Sequence, residues 1–443
     1  MRNLVFIASA TILCALSVSA QQTSGTQSTG QDAATMEQRI KDLEERIITL
    51  EGQVRMLKSA PPAPPAASTP APPVTAGQAP APAAAEAQQI QGAPSGAVTQ
   101  TQVYGGAGGA AAKALNPDIS VIGDFIGAAG TGTVPAFAQQ SPFPSLQMHE
   151  SEVGLQAIID PYARGDFFIS FGEEGVDLEE GYITFTALPK GFVAKVGKMR
   201  SAFGKVNMMH NHVLPWIDRP LVSTNLAGGE DGIDDAGFSI ERIIPAPKGL
   251  FLEATGQVFR GDSGTGLQTV FKSWERKDVS TVAHLRTYKD INESTNLDIG
   301  LSYARGYNDV GPDFLTNLYG VDATLRWKPL RRSIYHSFVG RSELIWSQRQ
   351  QLPGEQRAFG MYASADYQFA RRWFLGGRFD RSERSQLANL TDHGGSVVLT
   401  YWPSEFSQIR GQYRFTRFAE NKDTNELLMQ VIFSLGAHGA HPF

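Results

Sequence analysis

The sequence predicts an all-β fold: a transmembrane antiparallel β-barrel of about sixteen strands, preceded by a short coiled-coil helix and a disordered Pro/Ala linker. Three observations predict it. From residue 116 to 443, runs of roughly ten residues alternate apolar and polar side chains. The connections between runs are tight at one end and mostly longer at the other. Beyond the first twenty residues, no apolar run reaches the length a membrane-spanning helix requires.

The 443 residues carry 39 Lys+Arg against 44 Asp+Glu, a formal charge of −5. That is too close to balance for a protein that grips nucleic acid with a basic surface. Cys14 is the only cysteine, which excludes a disulfide framework, a cysteine zinc site and an iron–sulfur cluster.

Residues 1–20 read as an export signal. Arg2 gives a positive start, Leu4 to Val18 is apolar, and Val18-Ser19-Ala20 fits small-residue cleavage, so the mature chain begins at Gln21. Leu13 stands where a lipoprotein signal wants a small residue, so Cys14 leaves with the signal. Residues 21–35 are polar and are expected to be disordered.

A coiled coil is expected over 36–59. Thr35 and Gln38 form a capping box, and the seam has Ile40, Ile47 and Val54 at a with Met36, Leu43, Leu50 and Leu57 at d. Those a/d choices favour two strands. Arg39–Glu44 and Arg46–Glu51, however, repeat the Arg–apolar–x–x–apolar–Glu pattern of parallel trimers, and we give that pattern the greater weight. Residues 60–115 form the linker, a Pro/Ala spacer followed by a Gly/Ala/Gln-rich stretch.

The barrel strands are expected at 117–127, 146–159, 163–171, 177–188, 191–200, 231–243, 249–260, 277–288, 293–305, 316–328, 335–347, 358–369, 372–381, 393–402, 406–418 and 426–435. In the last of these, Leu427, Met429, Val431, Phe433 and Leu435 share one face while Gln430 and Ser434 share the other. A soluble half-buried sheet has the same period. The connections decide between them. Tight turns such as Asp160-Pro161, Leu188–Gly191 and Pro403–Glu405 alternate with segments at 128–145, 201–230, 261–276, 306–315, 348–357, 382–392 and 419–425, the asymmetry of outer-membrane barrels. Both ends of the barrel then lie on the short-turn, periplasmic side. Trp327, Tyr335, Trp373, Tyr401 and Trp402 sit there as an interfacial girdle.

The stretch Leu188–Gly204, with its Lys190-Gly191 turn, Val196-Gly197-Lys198 and Phe203-Gly204, resembles the signature of the phosphate-selective porin O and P family. A coil joined to a barrel also resembles the trimeric diffusion porins with a periplasmic coiled-coil extension. The resemblance implies an outer-membrane channel for small hydrophilic solutes, anionic ones included.

Polar faces assign Arg286, Arg326, Arg341, Arg378, Arg410, Arg414, Asp124, Glu152 and Asp166 to the lumen. In a wet pore such arginines can pass an anion along by bidentate contacts, or they can pair across strands with the equally numerous carboxylates. The long connection after the fifth strand is a candidate constriction loop, with Lys205, His210, His212, Asp218, Arg219, Glu230 and Asp231 in an apolar frame. His210 and His212 alone do not complete a metal site, so no metal and no cofactor is expected. No hydrolase elbow, zincin helix, phosphate loop or thiol nucleophile is present, so no enzyme activity is expected.

The expected function is therefore passive diffusion, with outer-membrane lipid, two further copies of the chain and small solutes as partners and no nucleic acid. Peptidoglycan is a candidate partner of the periplasmic coil. A second reading makes the barrel an anchor for an envelope tether.

Overall fold

The computed structural model describes residues 117–140, 142–173 and 175–436. The expected signal, coiled coil and linker lie outside the described residues, as does the tail after Gly436.

Sixteen strands form one sheet: β1 (Asp118–Thr131), β2 (Leu146–Asp160), β3 (Ala163–Gly172), β4 (Gly175–Phe185), β5 (Phe192–Arg200), β6 (Asp234–Ile243), β7 (Leu250–Phe259), β8 (Ser280–Asn292), β9 (Thr295–Asn308), β10 (Gly311–Trp327), β11 (Ser337–Gln350), β12 (Glu355–Ala370), β13 (Trp373–Glu383), β14 (Thr391–Ser404), β15 (Ser407–Phe418) and β16 (Lys422–Gly436). Each pairs antiparallel with its sequence neighbours, and β1 pairs with β16 from Ser120↔Gly436 to Thr131↔Asn425. Closure leaves no unpaired edge, which is what a sheet in lipid requires.

Side-chain alternation gives the barrel two opposite surfaces. On β16, Leu427, Met429 and Leu435 are exposed outward while Leu428, Gln430 and Ile432 are buried inward. Phe238, Ile240, Leu301, Leu375, Phe379, Val397 and Leu399 likewise face outward. Asp124, Glu152, Asp166, Arg286, Asp298, Glu343, Arg378, Arg410 and Arg414 are buried within. A soluble sheet buries its apolar face and wets its polar one; here the order is reversed, as hydrocarbon outside demands. Among the described residues no helix is long and apolar enough to cross a membrane.

The short-turn end carries the expected aromatics. Trp373 and Tyr401 stack at 4.5 Å across β13 and β14, and Tyr162, Tyr335, Tyr367 and Phe406 are exposed nearby. The opposite end differs from expectation. Only 132–145, 201–233 and 260–279 are long there; 309–310, 351–354, 384–390 and 419–421 are compact turns. The strands run on past the point where alternation fades: β10 has 17 residues and β12 has 16. Backbone pairing rewards each added residue regardless of side-chain pattern, as at Asn308↔Gly311 and Gln350↔Glu355.

Candidate functional site

The connection 201–233 folds into the barrel. Its Phe203, Val206, Leu214, Trp216, Val222 and Leu226 pack with inward-facing Val282, Ala304, Leu318, Ile345, Ala358 and Val398 of β8, β9, β10, β11, β12 and β14. A smaller cluster joins Ile217 to Ile126 and Leu428. These contacts explain why the lumen wall carries apolar side chains at all. One turn of α-helix, α1 (Leu221–Leu226), lies wholly buried inside.

The entry to the loop depends on two glycines of the Val-Gly-Lys and Phe-Gly stretch. Gly197 has φ +142°, and a Cβ there would collide with the Gly181 carbonyl oxygen of β4. Gly204 has φ +63°, and a Cβ would collide with the Glu343 carboxylate. Any side chain at Gly204 would push the loop off the β11 wall. Three polar contacts then guide the chain inward. The backbone amides of Ala202, Gly204 and Val206 donate to Gln257 at 2.7 Å, Ser302 at 2.9 Å and Glu343 at 3.4 Å.

Two walls of opposite charge hold the loop. The acidic wall comes from β2 and β4. Each of these strands has a bulge: the register skips His149 between Asp124↔Glu150 and Phe125↔Met148, and skips Glu179 between Phe168↔Glu180 and Ile169↔Leu178. A bulge re-aims the residues beside it, and here the two bulges present Glu150 and Glu152 from β2 and Glu179 and Glu180 from β4, across the intervening β3, to the same loop. His210 sits among them. Its Nδ1 is 2.7 Å from Glu152 Oε2 and 3.0 Å from Glu179 Oε2, and its Nε2 is 2.9 Å from Glu180 Oε2. Burial disfavours the charged imidazole, but the surrounding carboxylates outweigh it and raise the His210 pKa well above its usual value. His212 Nδ1 lies 3.7 Å from Glu152, and Asn211 donates to Glu150 at 3.1 Å and Glu230 at 3.0 Å.

The arginine wall comes from β13 and β15. Asp218 accepts from Arg378 at 2.8 Å, Arg414 at 3.0 Å and Gln412 at 2.5 Å. Burial would raise the Asp218 pKa, yet the two guanidinium groups hold it at about 2. Trp216 is fully buried beside it, edge-on to Tyr362 at 5.2 Å and under the Arg378 guanidinium at 4.9 Å. Its carbonyl accepts from Arg410 at 3.1 Å. The amide of Ile217 donates to Gln412, that of Leu221 to Asp380, and Asn225 donates to Asp392.

The remaining loop residues fasten it elsewhere. Lys205 reaches Asp298 at 3.0 Å, with its pKa pushed down by burial. Arg219 binds the loop to itself, donating to the carbonyls of Val206 and Met209 and to Asn211; burial and the nearby Arg200 lower its pKa to about 10. Glu230 meets His149 at 2.8 Å. The Asp231 carbonyl accepts from Arg200 at 2.8 Å, while burial raises the pKa of its carboxyl.

Most of the other luminal charges are paired too. Arg286 chelates Asp298 at 2.6 and 2.9 Å, Arg341 bonds Asp366, Arg414 also takes Glu426, Asp166 pairs with Arg164, and Asp124 accepts from Gln430. Arg326 has only a 3.8 Å approach to Asp298. Arg410 makes no ion pair among the described residues and bonds Thr400, Gln430 and the Trp216 carbonyl. Sequence reasoning missed Glu150, Glu179, Glu180 and Arg200. The adjacent acids Glu179-Glu180 inside an alternating strand were the available signal, because two neighbouring charges cannot both face inward without a bulge.

No family model matches the chain. An uncharacterized protein of Aquifex aeolicus is 29% identical over 385 residues, spanning 75% of this chain and 81% of its own. Among solved structures, the anion-selective porin from Comamonas acidovorans is similar over 72% of this chain and 99% of its own, at 9% identity and a TM-score of 0.49. The outer membrane channel DcaP of Acinetobacter baumannii is similar over 72% and 96%, at 12% identity and a TM-score of 0.48. OprB of Pseudomonas putida is similar over 73% and 95%, at 9% identity and a TM-score of 0.49.

Proposed function

We propose that this chain is a porin of the bacterial outer membrane, through which small hydrophilic solutes diffuse passively past the 201–233 loop. One observation carries the reading: a closed barrel that is apolar outside and charged inside, with a long loop folded into its lumen. The barrel supplies the wall, the loop sets the constriction, and no group is asked to make or break a covalent bond. Of the residues the sequence assigns to the lumen, Arg326 and Arg341 are half-buried and able to meet a solute, whereas Arg286, Arg378, Arg410, Arg414, Asp124, Glu152 and Asp166 are buried and act on the path through the loop they hold or through their field.

Ion preference follows from the pairing. Arg286, Arg341, Arg378 and Arg414 each share a carboxylate, so they contribute little net field. Arg326 and Arg410 are the least compensated, and they support a modest preference for anions. That is weaker than the phosphate-type selectivity implied by residues 188–204. The coiled-coil seam supports a trimer with its coil in the periplasm, where it can meet peptidoglycan.

Planar-bilayer recording of the purified full chain tests the function. Stepwise currents are expected. A barrel that inserts, remains folded and passes no current is instead an anchor, and the tether reading takes its place.

A further inference from the structure

We propose that a divalent transition-metal cation of the zinc type binds where His210 and His212 meet the acidic wall, fastening the constriction loop to β2 and β4. The donor atoms converge. One atom from each of Glu152, His210 and His212 lies within 4.8 Å of the others, and the same holds for Glu150, Glu152 and Glu179. All are buried. Zinc bonds of about 2.0–2.1 Å in a tetrahedron put neighbouring donors about 3.4 Å apart. The separations here are 2.7 Å and 3.0 Å from His210 Nδ1 to Glu152 and Glu179, and 3.7 Å from His212 Nδ1 to Glu152. They bracket that value, so small side-chain movements bring His210, His212 and Glu152 onto one ion, and Glu179, 3.0 Å from His210 Nδ1, is placed to move in as the fourth donor.

The outer shell fits as well. A metal-bound imidazole characteristically gives its other N–H to a carboxylate, and His210 Nε2 is 2.9 Å from Glu180 Oε2. With Nδ1 facing Glu152 and Glu179, that contact fixes the ring in the orientation a ligand needs.

Charge supplies an independent reason. Glu150, Glu152, Glu179 and Glu180 are crowded together, and among the described residues Arg200, 3.1 Å from Glu179, is the one Lys or Arg within ion-pair reach of them. Glu150 is more than nine-tenths buried, and its Oε1 has no hydrogen-bond partner among the described residues. A buried carboxylate oxygen without a partner is costly, and a divalent cation neutralises two carboxylates at once. Two imidazoles in the donor set select a zinc-like ion over calcium or magnesium, which prefer all-oxygen shells. Binding displaces whatever proton His210 Nδ1 shares with the carboxylates.

The site rests on this geometry, whereas its effect on current rests on the porin reading, so the two are measured separately. Purified full chain, stripped by a chelator, is titrated with Co²⁺ in detergent. Expected is a single bound Co²⁺ with the intense visible bands of a tetrahedral N/O site, displaced by Zn²⁺. His210→Ala and His212→Ala should each abolish the bands while circular dichroism still reports the barrel. Glu180→Gln should weaken binding about 10–100-fold. A native chain without tetrahedral bands, or bands that persist in both histidine variants, overturns the proposal. In bilayers Zn²⁺ should quiet current fluctuations of the native chain and leave His212→Ala unaffected; bound Zn²⁺ with no change in the fluctuations of the native chain overturns the fastening role.

Discussion

The two walls that hold the constriction loop solve the same problem with opposite chemistry. On the arginine wall, the loop brings one carboxylate, Asp218, to guanidinium groups that carry their charge at every physiological pH. On the acidic wall, three carboxylates, Glu152, Glu179 and Glu180, receive histidines, whose charge depends on a proton or another cation being present. The first anchorage is also packed around a fully buried Trp216, whereas at the second the ring contact is Phe168 edge-on to His210 at 5.2 Å, among carboxylates. One end of the loop is thus permanently fixed, and the other is conditional.

The largest effect is expected from removing the packed anchor. Trp216→Ala strips an indole from between Tyr362 and Arg378 and should lower the opening free energy of the α1 amides by about 3–5 kcal/mol. Native-state hydrogen exchange reads that directly. A change under about 1 kcal/mol would mean that polar contacts, and not packing, carry this end.

Next comes Asp218→Asn. Arg378 keeps Asp380 and Arg414 keeps Glu426, so neither guanidinium is left bare, and about 2 kcal/mol is the expected loss. This variant also tests the pH dependence. The folded pKa of Asp218 is depressed to about 2, against an ordinary value of about 3.9. Its contribution, about 2–3 kcal/mol, is therefore fully present above about pH 4 and is lost as pH falls towards 2. Exchange of α1 amides should accelerate across that window in the native chain and not in Asp218→Asn. Identical acid profiles would remove Asp218 from the account.

The smallest effect concerns ions. Arg326→Gln with Arg410→Gln should move the reversal potential towards cations, because these are the least compensated luminal charges. The shift should shrink above about 0.1 M salt, where the Debye length falls below about 10 Å. Arg378→Gln, which removes one charge that Asp380 and Asp218 share, should move it in the same direction by less than the double change. No shift from either change at low salt would place these residues off the ion path.

The barrel was legible in the sequence because hydrocarbon imposes a strict period on every strand: Leu427, Met429 and Leu435 had to face the same way. Strand ends were less legible at the long-loop end, since β10 and β12 continue through residues with no facial pattern. The loop was recognisable by its length and apolar content, and Asp218, His210 and His212 were singled out within it. Their partners were not. Which wall a loop residue meets depends on how the chain crosses the lumen, and no local pattern encodes that. The acidic wall was hidden for a further reason: two bulges shift β2 and β4 out of simple alternation, so counting by twos loses the inward faces of Glu179 and Glu180.

The central claim, that the loop forms the constriction of a conducting barrel, is tested most directly by single-channel conductance of the native chain beside a variant in which residues 205–228 are replaced by a short Gly-Ser linker. Stepwise currents are expected in both, with conductance several-fold larger in the shortened chain. Equal conductances, or a native barrel that stays silent while correctly inserted, would contradict it.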